Sequence, residues 1–413
     1  MAWASVQAIC GLLAGLLAGR WLGLGPAIGA VAQALIGFYE TFAPALIFAI
    51  LGPSLLRLLR HDQGEMGRFT AYAVAWFSGL RLAVCLVAAM VVALVYRLPL
   101  RVDGLSSSLD WGGPRAVLEN RYLLTLIAAC LTAWLLRRRH GRATDVFLSL
   151  PDRIEAAGNL LTRFTPVFGF LAGAYIVSLP DMLATAMGRI HGPALGAVAF
   201  RWFAIDTGAQ GGVMAVYLAV TGLTALLCFG LHAGLVLWVW LKTPNFSVRF
   251  YLTHYLSRVY PLVWSTGAES LAIPANLATL RRYGRDLPDA LRDLTSGLAA
   301  TLNLNGTLIC CLVLIPAVCM SIGHPLSAME LAGCLPMIFV LGYAIPGIPG
   351  ELAIFGDPVA QALGLSGGER ELFLLLFLSW QIGLTDSFRS AGSATDGVPA
   401  ALLLTQGYRR RFG

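Results

Sequence analysis

Apolar residues run along this chain in long stretches, near positions 5–19, 27–56, 71–96, 122–136, 164–179, 212–241, 306–322, 331–345 and 371–385. Several are long enough to cross about 30 Å of hydrocarbon as a helix, and some are too short. The alternating polar–apolar pattern of an outer-membrane barrel is absent. The first half predicts six spans, about 5–24, 30–58, 70–97, 120–138, 157–180 and 212–241. The second half is broken by small and polar residues. Segment 246–264 runs into STGAESLAIP and a short helical piece ending in LRRYG; 288–322 is interrupted by TLNLNGT at 301–307. Segment 330–345 meets PGIPGE at 346–351 and continues to about 363, and a last span covers about 369–406.

The order is therefore broken hairpin, interrupted helix, broken hairpin, interrupted helix. With the hairpins entering from opposite sides, this is an inverted repeat. Irregular backbone at membrane depth has to be buried in protein or line a watery cavity. Discontinuous helices that meet near the midplane expose partial charges that bind ions and solutes. The pattern predicts an all-α polytopic membrane protein, and a transporter before a channel.

Composition agrees: the chain is 57% hydrophobic and 12% charged, about half the usual charged share. Its formal charge of +7 is almost all arginine gathered between spans, at Arg57, Arg60 and Arg68, at Arg137, Arg138, Arg139 and Arg142, and at Arg409, Arg410 and Arg411. The positive-inside rule makes these segments cytoplasmic, with both termini inside and the loops 97–121 and 180–211 outside. The same placement argues against a nucleic-acid partner. The N-terminus lacks the basic start and cleavage site of a signal sequence, so 5–24 is expected as a first membrane helix, with Gly11, Gly15 and Gly19 on one face for close packing. The eight cysteines contain no CxxC pair and the six histidines no metal-ligand spacing, which leaves buried side chains as the reading for both, His232 included. Glu40 and Arg81 lie inside spans and are expected to face protein or water, chiefly for helix packing or a domain interface.

The chemistry concentrates in DSFRSAGSATDG, 386–397. Asp386, Arg389, Ser393 and Asp396 are spaced by three, four and three residues and share one stripe of a helix. Arg389 is always charged and offers a rigid fork of donors that matches a carboxylate, so inside a membrane it demands a partner. Asp386 can be that partner in a purely structural ion pair. In the functional reading, Arg389 clamps a substrate carboxylate while Asp386 receives an ammonium group or orients the arginine. Thr301, Asn303, Asn305, Ser393 and Asp396 offer oxygen atoms suited to a monovalent cation, with Asp396 the formal charge among them. Glu269 and Glu351 lie at the hairpin turns. Enclosed, each could take up a proton, a tendency opposed by a nearby arginine; opened to water, each would stay ionised.

These motifs resemble the dicarboxylate/amino-acid:cation symporter family, which has the glutamate-transporter fold. The likeness rests on the two hairpins, NLNGT at 303–307, GIPG at 347–350 and DSFRSAGSATDG. It implies eight transmembrane helices plus two re-entrant helical hairpins. It implies scaffold helices 1–2 in 1–69, transport-domain helix 3 in 70–97, and scaffold helices 4–5 with connecting loops in 98–211. Helix 6, hairpin 1, helix 7, hairpin 2 and helix 8 of the transport domain would fill 212–413. It further implies a homotrimer, an elevator-like motion, and residence in the inner membrane. By position, Arg389 falls on the arginine that holds the substrate's distal carboxylate and Asp386 on the aspartate that meets its amino group. Ser390 takes a place usually held by threonine, and Ser393 one commonly held by asparagine. Asn303, Gly306 and Thr307 match the first and last two residues of the family's NMDGT motif. Pro349 and Gly350 match the tip of the second hairpin, the extracellular gate.

The chain also departs from the family. Asn305 stands for the aspartate of NMDGT, and Gly397 stands where the last helix has its later aspartate, the acid being Asp396 instead. The serine-rich first tip reads Gly267, Ala268 and Glu269, and Glu351 replaces a small residue. The expectation is a symporter, not an enzyme. It would carry a small acidic solute, an amino acid or C4-dicarboxylate, with no cofactor and with Na+ or H+ as coupling ion. The alternatives are a proton-coupled or exchanging carrier of another zwitterion or carboxylate, or a channel or sensor that keeps the fold.

Overall fold

The computed structural model describes residues 2–23, 65–101, 121–139, 141–150, 210–267, 269–283, 302–344 and 351–412, with a scattering of single residues between them. Among the described residues every regular element is helical. The expected spans at 30–58 and 157–180 and the loops 97–121 and 180–211 lie largely outside that set, as do Glu40 and Arg57.

In the first half, α1 (Ala2–Trp21), α2 (Glu65–Val95), α3 (Arg121–Leu136) and the short α4 (Arg142–Leu148) precede the long α5 (Gln210–Lys242). Within α2 and α5, the stretches Gly67–Val95 and Ala215–Lys242 are long and apolar enough to cross a membrane. At 1.5 Å per residue each reaches about 42 Å or more. Both present large apolar side chains outward, Leu82, Leu86, Met90 and Leu94 on α2 and Leu226, Trp238 and Leu241 on α5. Such faces suit lipid, not water. The small-residue face of α1 is used as expected: a Cβ on Gly11, Gly15 or Gly19 would run into the backbone at Pro166, Phe170 or Ala174.

The second half is built from two helix–turn–helix units and two interrupted helices. The first unit starts at Val248–Phe250, where the Ser247 hydroxyl accepts from the Phe250 amide, and passes through a π-helical turn, Tyr251–Leu256. It continues as α6 (Ser257–Thr266). Gly267, in the left-handed region at φ 63°, ends α6, and a 3₁₀ turn, Glu269–Ala272, leads into α7 (Ile273–Tyr283). Next comes the break: Asn303 and Leu304 are non-helical, and α8 (Asn305–Ser321) begins at the asparagine. Every residue of α8 except Met320 is buried, as befits a helix apolar on all sides.

The second unit opens on α9 (Ala328–Leu341), whose start is a reciprocal cap. The Ser327 hydroxyl accepts from the Glu330 amide at 3.1 Å and the Glu330 carboxylate from the Ser327 amide at 2.7 Å. A 3₁₀ turn, Gly342–Ala344, follows, and α10 (Ala353–Ala362) returns. The expected last span is two helices, α11 (Gly367–Gln381) and α12 (Leu384–Phe412), bent by 63°. At the bend Ile382 is extended and Gly383 has φ 78°. Tyr217 of α5 closes the gap: its hydroxyl donates to the Ile382 carbonyl and accepts from the Leu384 amide, both at 2.9 Å. Beside it the Thr221 and Thr385 hydroxyls meet at 2.6 Å. Freed backbone groups in an apolar setting need such partners.

Two apolar clusters hold these parts. One surrounds α8 with side chains of α2, α5 and α11, and the other joins α12 to α2, α5 and α6. Six of the eight cysteines are buried, and all eight are free thiols. The helix α12 belongs to the second cluster and also packs against α8, and it carries the charges.

Candidate functional site

Arg389 is wholly enclosed, with 0% of its surface exposed. Its neighbour one turn earlier, Asp386, accepts from Nε at 2.9 Å and also from Nη2. The third nitrogen, Nη1, turns to the two helix–turn–helix units. It donates to Glu269 of the first at 3.3 Å, to Glu351 beside the second, and to the Thr307 hydroxyl of α8 at 2.6 Å. Thr307 in turn donates to Glu351 at 2.7 Å. All four partners are buried. If every acid is ionised, one guanidinium faces three carboxylates, and two negative charges are in excess.

The close approach of α8 and α12 makes this geometry possible. A Cβ on Gly306 would overlap the Arg389 carbonyl and lie 2.9 Å from the Ser393 hydroxyl. The glycine thus lets Thr307 reach the arginine. Ser390 and Ser393 are buried on the same helix. Asn303 and Asn305 come together at the break, where the Asn305 side-chain Nδ2 donates to the Asn303 side-chain Oδ1 at 3.0 Å. Asn305 Oδ1 and Asn303 Nδ2 have no hydrogen-bond partner among the described residues. A buried amide oxygen without a donor suits a cation. Thr301, Ala268, Pro349 and Gly350 lie outside the described residues. Gly267 is buried at the end of α6, just before Glu269.

Asp396 belongs to a second polar cluster. It lies seven residues beyond Arg389, about 10 Å along the helix axis, and there the stripe meets α5 instead of α8. Asp396 Oδ1 is 2.8 Å from Nδ1 of His232. Tyr251, from the π-helical turn, stands 3.4 Å from His232 Nε2 and donates to the Thr395 carbonyl at 3.3 Å. Tyr255 donates to Asn276 of α7, and Asn276 donates to the Ala394 carbonyl at 3.1 Å. The two arms of the first unit are thereby tied to each other and to α12. Where the resemblance puts an aspartate, a Cβ on Gly397 would stand 3.6 Å from both the Ala299 and the Asn276 side chains.

His232 is buried as expected, but its pairing with Asp396 has no signal in the sequence, because a single histidine in an apolar run carries no spacing. The Tyr217 contacts and the Asn276 bridge have no sequence signal either. The convergence of Glu269 and Glu351 on Arg389 could be suspected only from their places at the turns.

Two helices long and apolar enough to cross a membrane thus stand beside an enclosed charge cluster drawn from α12 and both helix–turn–helix units. The profile of the Sodium:dicarboxylate symporter family matches residues 195–406, and the chain belongs to that family. Its members are transporters, not enzymes. No curated protein matches the chain significantly.

Proposed function

We propose that this chain is a secondary active symporter of a small acidic solute, an amino acid or C4-dicarboxylate, coupled to a cation. One observation carries the reading: the enclosed Arg389 is held at once by acids from α12 and from both helix–turn–helix units. A solute carboxylate competes with the protein's own Glu269 and Glu351 for the same nitrogen. With all three acids ionised the cluster has an excess of negative charge, and an anionic solute is then repelled unless cations enter with it. Symport follows from that electrostatic requirement. The two hairpin acids take protons in this reading, and the amide oxygen of Asn305 contributes to a site for a monovalent cation such as sodium.

The remaining architecture follows the family resemblance. Eight membrane helices and two re-entrant hairpins form a trimer in the inner membrane, with both termini cytoplasmic and the lipid bilayer as its other partner. Segments 1–69 and 98–211 make a scaffold, and 70–97 and 212–413 a transport domain that moves in an elevator-like alternation. In that scheme Asp386, Ser390, Ser393, Thr307, Gly267, Pro349 and Gly350 surround the solute with Arg389, while Thr301, Asn303, Asn305 and Asp396 serve the coupling ion. A second reading, a proton-coupled or exchanging carrier of a zwitterion, is favoured by the placement of two acids on one arginine nitrogen.

The test is uptake of labelled aspartate, glutamate and succinate into proteoliposomes under an imposed sodium gradient and, separately, a pH gradient. Saturable uptake driven by either is expected. Sodium dependence alone, unchanged in E269Q and E351Q, would remove the protons from the mechanism, and binding without flux would point to a sensor.

A further inference from the structure

Among the described residues two arginines are fully enclosed, and they are treated in opposite ways. Arg389 is saturated by three carboxylates and a hydroxyl. Arg81, on α2, has none of these. Its Nε, Nη1 and Nη2 all lack a hydrogen-bond partner among the described residues. Among the described residues the ionisable groups that bear on it are the Tyr343 phenol and the Cys85 thiol, and no carboxylate.

What surrounds Arg81 is the first arm of the second helix–turn–helix unit. The guanidinium carbon stands 4.2 Å from the Tyr343 ring centroid and 5.9 Å from that of Phe339. Gly342 makes room for it, since a Cβ there would overlap Nη2 and lie 3.0 Å from Leu308. Tyr343 is itself fixed by a 2.6 Å hydrogen bond to Ser78, one turn before Arg81. Leu308 follows Thr307, so this pocket and the Arg389 cluster are served by adjacent residues of α8.

An aromatic face returns about 2 kcal/mol to a desolvated cation. Removing an ion from water costs several kcal/mol even after the protein relaxes, and arginine cannot escape by losing its proton. The place is short of one negative charge. We propose that Arg81 is an anion-binding residue, which holds a small anion, a carboxylate or a halide, between α2 and the Phe339–Tyr343 arm. The proposal leans on the transporter reading only in offering the solute's own carboxylate as one source; a separate halide is the other.

The experiment is thermal unfolding of the purified, detergent-solubilised protein in a buffer whose only anion is a bulky sulfonate. Chloride, acetate and succinate are titrated in separately. At least one should raise the unfolding temperature saturably in the parent. In R81M the midpoint concentration should rise by roughly thirtyfold or more, as for loss of one partner of a buried charge pair. R81M without added anion should unfold at or above the parent's temperature, because an unpaired charge has been removed. R81K, which keeps the charge but not the fork, should bind with intermediate strength. Chloride alone would identify a halide site, and succinate or acetate alone a site for the solute. No stabilisation in the parent, an unchanged midpoint in R81M, or an anion-free R81M much less stable than the parent would each overturn the proposal. Gradient-driven uptake with an unchanged R81M midpoint would remove this site and leave the symporter reading standing.

Discussion

If Glu269 and Glu351 must release Arg389 before an anionic solute binds, solute affinity should carry the signature of their protons. Both acids reach the same nitrogen of the guanidinium, so neither can stay charged there while a solute carboxylate takes its place. Each proton taken up with the solute makes affinity fall tenfold per pH unit, about 1.4 kcal/mol, as pH rises through the range where the free acid is ionised. With both linked, the dissociation constant should rise by up to about ten-thousandfold across two pH units. In E269Q or E351Q one proton is lost from the reaction, and the change should shrink to about a hundredfold. In the double variant it should vanish. The sign is fixed: affinity is greatest at low pH in the parent and nearly level in the double variant. The assay is binding of labelled aspartate or succinate to purified protein at a series of pH values and fixed sodium. Equal slopes in the parent and the double variant, with both proteins monodisperse, would refute the argument.

Further outcomes follow from other contacts. Y217F removes the hydroxyl that closes the α11–α12 gap and leaves a carbonyl and an amide unmet; a loss of about 1–3 kcal/mol is expected, read as a lower unfolding temperature. G306A forces α8 away from α12 at Arg389; a cost of about 1–3 kcal/mol and a sharp loss of solute binding are expected, measured by unfolding and by radioligand titration. H232A strands a buried Asp396, so H232A/D396N should be less damaged than the two single losses added together; a double-mutant cycle on unfolding checks this, and strict additivity would contradict the pair.

The sequence exposes what a single helix fixes. Asp386 and Arg389 can be paired on paper because residues three apart share a face, and the break at Asn303 is announced by two polar residues beside a glycine in an apolar run. The proline- and glycine-rich turns likewise announce the two helix–turn–helix units. Contacts between elements are a different matter. Nothing in helical periodicity says that the stripe carrying Arg389 faces α8 and the hairpin acids, while two turns later it faces α5. Asp396 shares its stripe with Arg389, and only the packing of α5 shows that its carboxylate meets His232. Tyr217 and Arg81 are single residues in apolar spans, and their use depends on which helix lies alongside.

The double hydrogen bond from Tyr217 also governs how force can travel. A kink between two free helices would act as a swivel, and the charged end of α12 could tilt while α11 stayed still. Here one phenol on α5 grips both sides of the kink, so α5, α11 and α12 are splinted into one piece. Tilting α12 against α11 must carry α5 along or break the bond from the Leu384 amide.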